Sequence, residues 1–109
     1  MHLMQLADSD LDSFCTWLCQ REYEIVGRPG MTYHCPLAQW LSECSGHIYG
    51  VESKVYGRAT CAYHCWRFLP RWAEVFVAWS EVMAFRPVTG GEALVLLASV
   101  ELALHMVSA

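Results

Sequence analysis

A chain of 109 residues with 55% apolar and 17% charged side chains has enough apolar surface for one core. That excludes a disordered chain and leaves no room for a second domain, so a single helical domain over 1–109 is expected. Seven basic against eleven acidic residues give a formal net charge of -4, which argues against broad electrostatic affinity for nucleic acid or anionic lipid.

The start, MHLMQLADSDLD, has neither a basic region nor an apolar segment of secretory length, so cytoplasmic residence is the expectation. Leu11, Phe14, Cys15, Leu18 and Cys19 then recur at three-and-four spacing and predict an amphipathic first helix. Asp8 or Ser9 can cap it, and Asp10 and Asp12 place negative charge at the positive end of its dipole. Gly27, Pro29 and Gly30 end this segment.

Pro36 suits the first position of a second helix because the amide it lacks would be unpaired there. Leu37, Trp40, Leu41 and Cys44 supply its apolar stripe, and Gly46 its stop. From Ile48 to Ala62 the β-branched and aromatic residues favour extended structure, broken at Gly50 and Gly57, which predicts a short hairpin or one irregular strand.

Pro70 opens a third helix in which Trp72, Val75, Phe76, Trp79, Val82 and Met83 read as one continuous apolar face, ended by Arg86 and Pro87. Thr89 and Glu92 have the spacing of a capping box for a fourth helix over about 90–105. That helix is apolar nearly all round, so the other helices or a second subunit should enclose it. The apolar run 93–107 is too short to span a bilayer and contains Glu101 and His105. The expected fold is therefore mainly α: a compact four-helix domain with a small β-hairpin or extended insert between helices two and three, packed about helix four.

Six cysteines without a leader do not imply a disulfide framework. Cys15, Cys19 and Cys44 lie on apolar stripes, where cysteine packs as a small hydrophobe. A zinc shell from Cys15, Cys19, Cys61 and Cys65, or with His64, is the sharper alternative, but Cys-x2-Cys never occurs, and no metal or other cofactor is expected. Cys35 beside His34 and Cys65 beside His64 could pair a thiolate with a base, although neighbouring side chains diverge. Glu101 and His105, one turn apart, could form a buried carboxylate–imidazole pair. No phosphate-binding loop, HExxH or calcium loop is present.

The segment 54–71 holds four of the seven basic residues and no acid. Lys54, Arg58, Tyr63, His64, Trp66, Arg67 and Arg71 make it the candidate ligand-binding strip, able to stack bases and pair phosphates. The plainer account has its cations pairing with Asp8, Asp10, Asp12 or a partner's acidic surface.

With apolar and indole surface in excess and no catalytic motif, the leading reading is a non-enzymatic interaction or regulatory protein, a homodimer or bound to a partner protein, with some tryptophans at the shared surface. A nucleic-acid or phospholigand module ranks second. An enzyme using Cys65, His64 or Glu101 ranks third.

Overall fold

The computed structural model describes residues 6–108, with side chains through residue 105; residues 1–5, where the leader reading begins, lie outside it. The chain is mainly α. In order it forms α1 (Leu11–Cys19), β1 (Ile25–Gly27), α2 (Pro36–Ser45), β2 (Tyr49–Val51), β3 (Val55–Arg58), β4 (Arg67–Phe68), α3 (Arg71–Ser80), β5 (Val88–Thr89) and α4 (Gly90–Ser108). Single 3-10 turns precede α1, precede β4 and follow α3.

Several local signals act as the sequence implies. Pro36 is the first residue of α2, and Gly46 ends it in a left-handed conformation at φ 76°, its amide donating to the Ser42 carbonyl. The capping box forms in both directions: the Thr89 amide donates to Glu92 Oε1 at 3.0 Å, and the Glu92 amide donates to Thr89 Oγ1 at 3.1 Å. Neither Asp8 nor Ser9 caps α1. Asp10 instead turns back, and its Oδ2 accepts from the Ala7 amide at 2.7 Å.

The insert between α2 and α3 is a hairpin extended to three strands. β2 pairs antiparallel with β3 and β3 with β4, in the register Val51↔Tyr56↔Arg67. A second, two-stranded pairing joins β1 to β5. No periodicity announces it, because each strand has only two or three residues and its partner lies some sixty residues away.

The core centres on Phe14, which is fully buried. Its ring lies 5.1 Å from Trp40, 5.8 Å from Trp72 and 6.3 Å from Trp17, and meets Phe76 edge-on at 5.4 Å. Three of the five indoles, Trp17, Trp40 and Trp72, are buried here, while Trp79 is exposed. They form the centre of the molecule because a flat ring from each of three helices closes around one phenyl. The Trp72 indole donates to the Ala7 carbonyl at 3.1 Å, and Tyr56 Oη accepts from the Leu6 amide at 2.6 Å, so the segment before α1 is tied to both halves of the fold.

Two further expectations are corrected. The third helix is shorter, ending at Ser80, so Val82 and Met83 lie beyond it; Val82 is exposed and Trp79 is partly so. The chain leaves the helix because the Phe85 amide is drawn to the Pro29 carbonyl and Arg28 Nη1 donates to the Phe85 carbonyl at 3.2 Å. Second, of the two coverings expected for α4, the other helices supply only part. It packs on α1 and α3 through Ala93, Leu97 and Val100, while Val95 and Leu102 on its outer side stay 71% and 62% exposed. The three shorter helices do not surround a nineteen-residue helix that sits at the edge of the bundle. Among the described residues no helix is long and apolar enough to cross a membrane.

Phe85 has φ 64° and follows Ala84 at φ -51°, ψ 132°, with the Arg86 amide donating to the Met83 carbonyl. That is a type II turn whose third position ordinarily takes glycine, since a side chain there crowds its own backbone. The ring is 65% exposed, so it contributes little packing in return. Phe85→Gly is therefore expected to stabilise the protein by about 1 kcal/mol, read as a higher urea midpoint at unchanged slope.

Candidate functional site

The basic-aromatic strip divides in three dimensions. Arg58, Trp66 and Arg67 surround one small cavity of about 100 Å3 together with Cys61, Cys65, Tyr49, Tyr56 and Gly57. Arg58 closes β3 and its Nη2 lies 3.1 Å from His47 Nδ1. Arg67 lies opposite Tyr56 on the outermost strand. Tyr63 lines a different cavity, and Lys54, His64 and Arg71 are exposed outside both. The expected pairing with Asp8, Asp10 or Asp12 does not occur for Lys54, Arg67 or Arg71 among the described residues, where the ion pairs are Arg21–Glu43 at 2.6 Å and Arg86–Glu92 at 3.3 Å.

Trp66 is placed by the two glycines that break the extended run. Gly50 and Gly57 face each other across β2 and β3, and the indole lies flat over both. A Cβ on Gly50 would come within 2.7 Å of Trp66 Cη2 and of Tyr33 Cε1, and one on Gly57 would overlap the indole ring. The Tyr63 ring packs against the same indole, tilted by 37° with the ring centres 5.2 Å apart. The ring is thus committed to the sheet and its Nε1 has no acceptor among the described residues. Such a ring is not free to stack on a base, which weakens the nucleic-acid reading of this surface.

The other candidate chemistry separates in space. Cys35 is buried at the start of α2, and burial pushes its thiol up to about 11, whereas His34 is exposed and lines the largest cavity. Cys35 therefore packs as a hydrophobe. Glu101 and His105 are both exposed, with no hydrogen bond between them among the described residues, which removes the buried pair. Cys15 is half-buried and hydrogen-bonds Cys19; desolvation raises its pKa first, and the neighbouring Cys19 thiol and the Glu101 and Asp12 carboxylates add to that. Cys44, expected on the apolar stripe of α2, is exposed beside Glu43, and burial of part of its side chain still raises its pKa. No group of three or more His, Cys, Asp or Glu side chains among the described residues is arranged to hold a metal ion, so Cys15 and Cys19 do not join Cys61 and Cys65.

The largest cavity, about 610 Å3, lies between the end of α1, β1 and α2. Trp17 forms part of its wall, the Arg21 guanidinium sits 4.6 Å from the centre of that indole ring, and Arg21 also bonds Glu43 and the Trp17 carbonyl. Its formal charges cancel, with Arg21 and Arg28 against Glu24 and Glu43. The outer face of α4 is a third feature of a different kind, carrying Val95 and Leu102 with no covering element among the described residues.

No family model, curated protein or solved structure matches this chain.

Proposed function

We propose that this protein is a small interaction module that acts as a homodimer, paired through the outer face of α4. The observation that carries the reading is the exposure of Val95 and Leu102 on a nineteen-residue helix whose opposite side is fully packed. Exposed large apolar side chains at helical spacing mark contact surfaces more often than isolated ones do.

A second copy fits this stripe by its own symmetry. In an antiparallel pair centred between Ala98 and Ser99, Val95 of one copy meets Leu102 of the other. The small Ala98 and Ser99 let the backbones approach, and Glu92 lies opposite His105. An interface whose two halves complement each other in this way is what a two-fold axis requires. A helix of this length is about 28 Å long, enough for a modest interface near the lower size limit for specific association. A protein with six free cysteines and no membrane-crossing helix among its described residues fits a reducing compartment such as the cytoplasm.

Light scattering and sedimentation equilibrium test the reading. The wild-type chain is expected to be dimeric at tens of micromolar, and Leu102→Glu, which places an unpaired carboxylate against Val95 of the other copy, to be monomeric at the same concentration with unchanged melting temperature. The dissociation constant should rise by roughly tenfold or more. A wild-type monomer across that range removes the homodimer.

A further inference from the structure

We propose that Cys61 and Cys65 form a thiol-exchange site for an acidic low-molecular-weight disulfide of the glutathione type. The site is independent of the α4 surface. Both thiols are exposed and line the same cavity of about 100 Å3, whose rim carries the guanidinium groups of Arg58 and Arg67. The segment that builds it, residues 54–71, contains no carboxylate.

The surroundings of the other four cysteines differ. Cys35 is buried. Cys15 and Cys19 sit together near Asp12 and Glu101, and Cys44 stands beside the Glu43–Arg21 ion pair, whose charges offset each other. An anionic disulfide is repelled at Cys15 and Cys19, finds no net attraction at Cys44, and is attracted at Cys61 and Cys65. The exchange transition state spreads negative charge over three sulfur atoms, and the two cations that line the cavity stabilise it. Arg58 lines the cavity, and its Nη2 lies 3.1 Å from His47 Nδ1.

In the step proposed, the deprotonated sulfur of Cys61 or Cys65 attacks one sulfur of oxidised glutathione. A protein–glutathione disulfide forms, the reagent's own S–S bond breaks, and one glutathione leaves as a thiolate that takes up the proton the cysteine released. The cysteine sulfur is oxidised and half of the reagent is reduced, so no further oxidant is needed. The second thiol on the same cavity can then displace the bound glutathione and close a Cys61–Cys65 disulfide.

The full chain, treated with limiting oxidised glutathione and mapped by peptide mass spectrometry, provides the test. The first modification is expected at Cys61 or Cys65, as a glutathione adduct or as their internal disulfide. Arg58→Gln with Arg67→Gln should slow the reaction about tenfold, while the rate with the uncharged bis(2-hydroxyethyl) disulfide stays nearly constant. Arg67→Gln alone, on an exposed edge strand, serves if the double variant misfolds and should show the same selective slowing to a smaller degree. First modification at Cys19 or Cys44, or equal slowing with both reagents, would overturn the proposal.

Discussion

Replacing Gly90 with alanine is expected to destabilise the protein by about 3 kcal/mol or more, seen as a fall in melting temperature of about 15 °C. The start of α4 is pressed against the chain that leaves α1. The Gly90 amide donates to the carbonyls of Arg21 and Glu24 at 3.1 Å each, and the Gly91 amide donates to the Glu22 carbonyl at 2.9 Å. These bonds satisfy amides that a helix start otherwise leaves open. A Cβ on Gly90 would collide with the carbonyl oxygens of Leu18 and Arg21, which are backbone atoms and cannot rotate away. Relief requires α4 to withdraw from α1, breaking those bonds and opening the packing of Ala93 and Leu97. The control is Gly46→Ala. Gly46 has a left-handed φ but nothing within 4 Å of the added carbon, so it should lose only about 1 kcal/mol. Equal losses at the two positions would mean that backbone conformation, not the close approach, makes glycine necessary at residue 90.

Phe14→Ala should be comparably severe, at about 3–5 kcal/mol in urea unfolding. The phenyl is fully enclosed and touches four aromatic rings from α1, α2 and α3. Its removal leaves a hole bounded by flat, rigid rings that cannot collapse into it, which places the loss toward the upper part of the range for such changes. The ring pairs add about 0.5–1.5 kcal/mol each beyond area burial. Phe14→Leu retains most of the volume and should lose less than half as much. Near-ultraviolet circular dichroism supplies an independent reading: Trp17, Trp40 and Trp72 owe their fixed surroundings to this phenyl, so their signal should weaken in Phe14→Ala even where the far-ultraviolet spectrum persists. An unchanged near-ultraviolet spectrum would place the organising centre elsewhere.

The two largest expected effects thus fall on residues that hold the helices together. The proposed dimer and thiol site use side chains the core leaves out, namely Val95 and Leu102 on α4, and Cys61, Cys65, Arg58 and Arg67 beside the three-stranded sheet. Substitutions at Leu102 or Arg67 should therefore change association or reactivity while leaving the melting temperature nearly constant.

Local chemistry by itself determined the four helices, the Pro36 start and Gly46 stop of α2, the Thr89–Glu92 box and a hairpin after α2. Each depends on residues within about one turn of one another, so propensity and spacing carry the information. Tertiary structure alone decided that three indoles close around Phe14, that α3 stops at Ser80 and that β1 pairs with β5. It alone divided the 54–71 strip so that Arg58 and Arg67 meet Cys61 and Cys65 while Lys54, His64 and Arg71 stay apart. It also left α4 uncovered on one side, because a stripe apolar all round states how much surface needs burial and not which neighbour supplies it. Those outcomes depend on contacts between segments far apart in the chain, where packing and backbone pairing outweigh any local preference.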